Sequence, residues 1–183
     1  MKASRLFTGR NVLSSFILFL AAYLVIGGGW IGIAAVNAAS GGAPVPDMLF
    51  SYAPSALSGM FEALGEEGRA AYLSMNAVDF FFAGAYGVFY FIILGWIALL
   101  LFPSKGALRF VGIIGVAAAL CDEAENLVFR MAASGSSIDE RLASIASSAT
   151  TAKFCLIVAT MILVSGGLIA VVVAAVVRRK NTA

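Results

Sequence analysis

The sequence predicts an all-α fold: a four-helix transmembrane bundle with a short amphipathic helix in the external loop between the first and second helices. Hydrophobic residues make up 61% of the chain and charged residues only 12%, whereas soluble domains have about 45–50% and about 25%. The mean hydropathy is +0.98. The apolar residues also form long blocks and do not alternate with polar ones, which favours spanning helices over a β-barrel.

Four apolar blocks are long enough to cross a bilayer. Each exceeds the ~20 residues that span ~30 Å of hydrocarbon, and a helix in hydrocarbon satisfies its own backbone hydrogen bonds. Because proline lacks a backbone N–H, Pro103 is expected to end the second helix. The chain is therefore predicted to be one integral membrane domain, residues 1–183. The predicted helices are residues 12–36, 70–102, 107–133 and 145–177.

The first block has the composition of either a membrane anchor or a cleaved signal peptide. Its basic start and the small residues near Val36 fit a signal peptide, but its apolar run of 25 residues exceeds the usual 7–15. We interpret the block as an anchor. Gly28 and Gly32 form a G-x-x-x-G pattern, which predicts a close helix–helix contact.

The distribution of Lys and Arg predicts the orientation. Eight cations and no acid flank the blocks on one side, whereas the opposite loops hold three cations and six acids. The positive-inside rule places the basic side, with both termini, in the cytoplasm. The predicted location is the cell membrane (the inner membrane in a bacterium), crossed several times. The cations of the basic side are Lys2, Arg5, Arg10, Lys105, Arg109, Arg178, Arg179 and Lys180.

Residues 37–68 form the one long segment outside the predicted helices. After a loop rich in small residues, Leu57, Met60, Phe61 and Leu64 fall at helical spacing on one face, which predicts a short amphipathic helix on the outer membrane surface. This helix is either a lid over a site or a simple connector. The segment has no basic patch and no aromatic–basic interleaving, so we expect no nucleic-acid partner.

Missing residue types limit the chemistry. The chain contains no His, which excludes His metal sites and Ser-His-Asp triads. It has no phosphate-binding glycine-loop motif. Cys121 and Cys155 are too few for a zinc or iron–sulfur cage. We therefore predict no cofactor and no bound metal, although clustered carboxylates leave open a divalent ion in an enzymatic alternative.

An acidic cluster, CDEAEN at residues 121–126, lies inside the third predicted helix. Asp122 is roughly 27 Å along the helix from Ser104, which places it in the outer third of the bilayer. At 100° per residue, Asp122, Glu123, Glu125, Asn126 and Arg130 share one arc of about 160°. Because charges in hydrocarbon are costly, this face is expected to point into the bundle.

The second helix carries a matching stripe. Its polar and aromatic residues recur at steps of three and four, and the tight turn near Pro103 places Tyr86 level with Asp122. On the fourth helix, Lys153 either joins the cluster or extends to the outer interface. The stripe consists of Arg69, Tyr72, Asn76, Asp79, Ala83, Tyr86 and Tyr90.

Two interpretations of these groups remain. In the first, they form an internal network that only braces the bundle, with Asp79 paired to Arg130, and Asp122 or Glu125 paired to Lys153. In the second, they line an outward-opening polar pocket. Four acids against two cations in this region favour the pocket, because pairing alone would leave negative charge unbalanced.

One pattern resembles a known family. Gly68-Arg69-x-x-Tyr72, followed by Asp79, Tyr86 and Asp122-x-x-Glu125-Asn126, is similar to a pattern in uncharacterised small four-helix bacterial integral membrane proteins. The resemblance covers residues 50 to 130. It implies the same membrane fold and emphasises the same positions, but it implies no activity.

The sequence therefore predicts an acidic, aromatic-lined pocket in the outer half of the bilayer that binds a cation, an amine or a lipid headgroup, as in a small permease or an accessory subunit. A lipid-modifying enzyme that uses carboxylate acid–base chemistry or a divalent metal is one alternative, and whether the chain is an enzyme stays open. A structural subunit with a membrane partner is another, and a homodimer fits both the ligand-binding and the structural-subunit interpretations. The candidate ligand-binding residues are Asp122, Glu125, Asn126, Asp79, Tyr86, Tyr72, Arg69, Glu123, Arg130 and Lys153.

Overall fold

The computed structural model describes residues 5–180, which are all-helical with no strand. Lys2, one of the cations used to predict the orientation, lies outside the described residues. Short 3₁₀ turns occupy Pro46–Met48, Pro54–Ala56 and Gly106–Gly112. The α-helices are α1 (Gly9–Ile26), α2 (Ile33–Ala39), α3 (Leu57–Ala63), α4 (Gly65–Leu101), α5 (Ile113–Ala133) and α6 (Glu140–Lys180).

Three of the described helices, α1, α4 and α6, are long and apolar enough to cross a membrane. The third predicted span corresponds to α5, which has 21 residues. Three carboxylates and Arg130 interrupt its apolar sequence, so composition alone does not mark it as a span. The prediction of an all-helical fold is confirmed, and the three apolar helices are consistent with the prediction of a membrane protein.

The central helix is α4, which packs against α1, α5 and α6. It runs antiparallel to α5, since Asn76 contacts Asn126 toward one end of the pair and Gly112 approaches Phe91 toward the other. We call the half of the molecule that contains the first half of α4, the last half of α5 and the first half of α6 the cluster half. The other half, which contains residues 101–112 and the end of α6, is the basic half.

The first predicted helix is divided into two. Helix α1 ends at Ile26, and α2 begins at Ile33. Gly27, Gly28 and Gly29 stand at the break, where each glycine costs a helix about 1 kcal/mol relative to alanine. A Cβ atom on Gly32 would collide with the carbonyl of Ile26. The prediction of a continuous helix over residues 12–36 is wrong, and so is the interpretation of Gly28 and Gly32 as a helix-packing pair.

The predicted amphipathic helix in the 37–68 segment is present as α3, but its apolar face is not free. Leu57 and Phe61 are buried, and the ring of Phe61 lies 5.0 Å from that of Tyr72 and 5.6 Å from that of Phe129. The apolar face of α3 therefore packs on α4 and α5. The expected placement of this face in the membrane surface is wrong.

The other helix ends differ from the prediction by a few residues, and local chemistry explains them. Helix α4 ends at Leu101, two residues before Pro103, as expected. Residues 106–112 form a 3₁₀ turn, so α5 begins only at Ile113. Helix α6 begins earlier than predicted because the carboxylate of Asp139 accepts a hydrogen bond from the Leu142 N–H at 2.7 Å, which caps its first turn.

Candidate functional site

A cavity of about 380 Å³ lies in the cluster half, between α1, α4, α5, α6 and the Pro46–Met48 turn. Three carboxylates and one ammonium line it together with six aromatic rings. The lining residues are Phe19, Tyr23, Ile26, Gly27, Ile33, Asp47, Met48, Asp79, Phe82, Tyr86, Tyr90, Asp122, Lys153, Phe154 and Ile157.

Lys153 lies inside the cluster and does not extend to the surface. Its side chain is 5% exposed, and its ammonium is 3.0 Å from Asp122 Oδ1. The ammonium also forms a close ion pair with Glu125 Oε1. One cation thus links two carboxylates on consecutive turns of α5, which is the pairing that the internal-network interpretation expected for Lys153.

Tyr86 and Asp122 connect α4 to α5. The Tyr86 hydroxyl donates a hydrogen bond to Asp122 Oδ2 at 2.9 Å, which confirms the predicted level of the two residues across the hairpin. Asp122 therefore has a partner at each oxygen, the lysine at one and the tyrosine at the other. Its position is fixed from two neighbouring helices.

A second polar chain connects α4 and α5 farther from the segment that joins them. Asn126 Nδ2 donates to Asp79 Oδ2 at 2.9 Å, and Asn76 Nδ2 donates to the Asn126 backbone carbonyl at 3.2 Å. Arg130 is exposed, and its guanidinium reaches only Asn76 Oδ1 and the Leu73 carbonyl, each at 3.5 Å. The expected pair of Asp79 with Arg130 is therefore not formed, because asparagines occupy the positions between them.

Asp47 is the charged cavity residue that the sequence interpretation missed. It comes from the Pro46–Met48 turn, and both of its carboxylate oxygens are buried without a hydrogen-bond partner. Burial is the main cause that raises the pKa of Asp47, and the nearby charge of Lys153 opposes this rise. The hydroxyl of Tyr72 is close enough to lower the pKa of Asp47 slightly, yet it is itself buried without a well-formed hydrogen bond.

The charges around the cavity do not balance. Among the described residues, one buried ammonium, that of Lys153, lies near four carboxylates: Asp47, Asp79, Asp122 and the adjacent Glu125. Asp122 and Glu125 share this ammonium. Within the described residues, Asp47 and Asp79 have no lysine or arginine within salt-bridge distance. The cavity therefore offers two carboxylates to an incoming positive charge.

Aromatic rings form much of the remaining wall. Phe19 of α1 stacks on Phe82 with ring centroids 5.9 Å apart, and Phe82 contacts the ring of Tyr86 at 5.4 Å. The ammonium of Lys153 lies 5.1 Å from the ring of Phe154. Aromatic faces attract cations, so these rings and the carboxylates favour the same kind of ligand.

The structure does not bring all predicted site residues to the cavity. Tyr72, Glu125 and Asn126 are fully buried behind its wall, where they support the lining residues. Arg69 lines a separate cavity of about 280 Å³ near Glu62. Glu123 and Arg130 lie away from the cavity lining. The predicted residues that line the cavity are Asp79, Tyr86, Asp122 and Lys153.

The carboxylates do not form a metal-binding group. Among residues 5–180, no three Asp, Glu or Cys side chains converge closely enough to hold one ion. The two unpaired carboxylates come from separate elements, the Pro46–Met48 turn and α4, and face a shared space. This arrangement fits an extended organic cation better than a compact metal ion, which needs several oxygens within about 2.6 Å.

The chain was compared with protein-family models, curated proteins and solved structures, and no match was found. The resemblance of residues 50 to 130 to small four-helix bacterial membrane proteins therefore stays a prediction.

Proposed function

We propose that the chain is an integral membrane protein that crosses the cell membrane four times and binds an organic cation with an amine group in the cavity. The observation that carries the proposal is the pair Asp47 and Asp79, which face one aromatic-walled cavity without a cationic partner. In this proposal the four spanning helices are α1, α4, α5 and α6, and both termini are cytoplasmic.

The contacts of α5 support its assignment as the fourth span. Its buried side includes Asp122, Glu125 and Asn126, whereas its outward side presents Leu120 and Leu127, which are 65% and 58% exposed. A helix that hides its charges in the protein and shows leucines outward meets the requirement of hydrocarbon. The carboxylates therefore do not argue against a membrane position for α5.

Helix lengths support a position of the cavity near the outer headgroups. At 1.5 Å per residue, Ile26 is about 26 Å from the start of α1, and Asp79 is about 33 Å from Leu101. Lys153 is about 37 Å from Arg178 on the same scale. Hydrocarbon is ~30 Å thick, and the bilayer with headgroups measures ~40–45 Å. Ile26, Asp79 and Lys153 thus lie near the outer boundary of the hydrocarbon.

An amine suits the cavity better than an anion or a neutral ligand. An ammonium can donate hydrogen bonds to Asp47 and Asp79, and charge-assisted hydrogen bonds are about twice as strong as neutral ones. The aromatic rings add cation–π attraction. Lys153 is already engaged by two carboxylates, so it is not available to attract an anion. The cavity volume of about 380 Å³ lies in the usual range of small-molecule sites.

The experiment that tests the proposal is a binding measurement on the purified protein in detergent. Ethanolamine, longer alkylamines and neutral alcohols of the same length are added while the thermal unfolding midpoint is followed. We expect amines, and not alcohols, to raise the midpoint of the wild type.

Asp79→Asn and Asp47→Asn are expected to abolish this response while the protein stays folded. Glu66→Gln, which changes an exposed carboxylate at the start of α4, is the matched control and should respond like the wild type. The proposal fails if no amine shifts the wild type, or if both asparagine variants respond fully.

A further inference from the structure

We infer that the amine belongs to a membrane lipid of the outer leaflet, whose headgroup enters the cavity sideways through a gap between α1 and α6. This inference rests on the proposed function and adds the class of ligand and its route. Phosphatidylethanolamine is the simplest lipid with the required ammonium.

The gap follows from how α1 and α6 are packed. Both helices line the cavity, α1 through Phe19 and Tyr23 and α6 through Phe154 and Ile157. Each packs against α4, but the backbones of α1 and α6 hardly approach one another. The cavity is therefore bounded on this side by side chains alone and not by a packed helix pair.

The side chains at the gap are suited to lipid. Tyr23 lines the cavity and is also 55% exposed, and Ile157 is half-buried. Beyond them, one helical turn further along the same face of α6, the surface continues with the exposed apolar residue Met161. Acyl chains can lie along this surface while the headgroup turns inward to the carboxylates.

The end of the cavity away from the hydrocarbon is different. The Pro46–Met48 turn lies there, with Val45 and Pro46 buried in the protein and Asp47 directed into the cavity. A ligand that enters from the gap meets Asp79 and Asp47 after it passes the aromatic rings. The apolar part of the ligand thus stays next to the bilayer, and the charged part reaches the carboxylates.

The outer end of the cavity lies at the level of lipid headgroups. Trp30 follows the end of α1 and is 96% exposed, and tryptophan is enriched at the membrane–water interface. The same helix end supplies Ile26 and Gly27 to the cavity. A headgroup at this level needs no large displacement from the bilayer to reach Asp79.

The charge of the cavity selects among lipids. Four carboxylates surround one lysine that is already paired, so an anionic headgroup such as that of phosphatidylglycerol meets net repulsion. A headgroup with an ammonium meets two unpaired carboxylates. We therefore expect lipids with the same acyl chains to differ in binding according to the headgroup amine.

The test uses purified protein in detergent and two lipids with identical acyl chains, phosphatidylethanolamine and phosphatidylglycerol. The thermal unfolding midpoint is measured with each lipid and with ethanolamine. We expect phosphatidylethanolamine to raise the midpoint by several degrees, ethanolamine to raise it less, and phosphatidylglycerol to have no effect. Asp79→Asn should remove the responses to both amines.

The route is tested with a blocking variant and a neighbouring control. Ile157→Trp is expected to lower the apparent affinity for phosphatidylethanolamine at least tenfold. The rise of its unfolding midpoint with ethanolamine should be the same as in the wild type. Val158→Trp alters the adjacent residue, which does not line the cavity, and should bind both ligands like the wild type. Native mass spectrometry of the wild type and Asp79→Asn measures the retained lipid without dependence on the blocking variant.

The possible outcomes separate the two proposals. If ethanolamine stabilises the wild type as strongly as phosphatidylethanolamine and no lipid is retained, the lipid inference is wrong and the proposed function stands. If phosphatidylglycerol binds as well as phosphatidylethanolamine, selection by the headgroup amine is wrong. If Ile157→Trp binds the lipid normally, the lateral route is wrong. If neither amine binds, the proposed function itself fails.

Discussion

The two halves of the molecule are held together in different ways. In the cluster half, side-chain hydrogen bonds and the ion pairs of Lys153 connect α4, α5 and α6. In the basic half, small residues allow close packing, as where Gly95 meets Phe7 and the Arg109 carbonyl. The last buried residue described in α6 is Thr160, so its more apolar part is also its more exposed part. High hydropathy therefore marks the surface offered to lipid, and polar residues mark the contact with protein.

The largest expected effect comes from the removal of the buried cation. Lys153→Met leaves Asp122 and Glu125 buried without a counter-charge, and the loss of one partner of a buried pair costs about 3–5 kcal/mol. We expect the free energy of unfolding to decrease by this amount, as measured by denaturant titration in mixed micelles. Lys105→Met changes an exposed lysine of the basic half and should have almost no effect. Equal losses in both variants would contradict the contrast between the halves.

The second-largest loss of unfolding free energy is expected from removal of the hydrogen bond that joins α4 to α5 through Tyr86 and Asp122. Tyr86→Phe removes the donor to Asp122 Oδ2, and hydrogen bonds to charged groups contribute about 1.5–3 kcal/mol. Tyr23→Phe removes a hydroxyl from a largely exposed residue and should change the free energy of unfolding by less than about 0.5 kcal/mol. A Tyr86→Phe variant as stable as Tyr23→Phe would show that the hydrogen bond does not hold the cluster half.

The close packing of the basic half is tested with two glycines of α4. A Cβ atom on Gly95 would lie 2.8 Å from the Arg109 carbonyl oxygen and would overlap the ring of Phe7, so Gly95→Ala should cost about 1–3 kcal/mol by overpacking. A Cβ atom on Gly84 meets nothing within 4 Å, and Gly84→Ala should stabilise the helix slightly. The two variants are compared by thermal unfolding in the same detergent. Loss of stability in Gly84→Ala would contradict this packing.

The smallest expected change is a gain of stability, and it depends on pH. Burial raises the pKa of Asp47 above the unfolded value of 3.8, so the folded protein binds more protons than the unfolded chain between these two pKa values. The stabilisation that Asp47 contributes is therefore complete at pH values below its pKa in the unfolded chain. It is lost as the pH rises through the pKa of Asp47 in the folded protein. Asp47→Asn should match the wild type near pH 3.5 and be the more stable of the two at neutral pH.

This pH profile is measured without added amine, because a bound amine would stabilise the carboxylate form. Lys153 and Asp122 also act on Asp47, and neither is changed in Asp47→Asn. Glu66→Gln serves as the control for general charge effects and should follow the wild type across the range. A parallel profile for Asp47→Asn and wild type would contradict the raised pKa.

The sequence predicted the parts that depend on local periodicity. The steps of three and four along α4 and the short connection to α5 were sufficient to place Tyr86 opposite Asp122. The inward direction of Asp122 and Glu125 followed from the cost of charges in hydrocarbon. These predictions depend on helix geometry, which is the same in every helix.

The parts that depend on contacts distant in sequence were not predicted. Asp47 was counted only among the external acids, although the two residues before it, Val45 and Pro46, are apolar and buried. The packing of Phe61 on Tyr72 and Phe129 decides that α3 faces protein, and an amphipathic pattern does not distinguish protein from lipid. The end of α1 at Ile26 was overlooked because the hydropathy of Gly27–Gly29 does not reveal their low helix propensity.

If α5 spans the membrane as proposed, the double ion pair of Lys153 also constrains how the chain is assembled during synthesis. Helix α5 is made before α6, so its carboxylates would reach the translocon before the lysine that neutralises them. If α5 entered the lipid alone, it would carry Asp122 and Glu125 without a partner, and if α6 entered alone it would carry an unpaired ammonium. With the proposed four-span topology, we therefore expect the two helices to leave the translocon as a pair, connected by the short segment at residues 134–139.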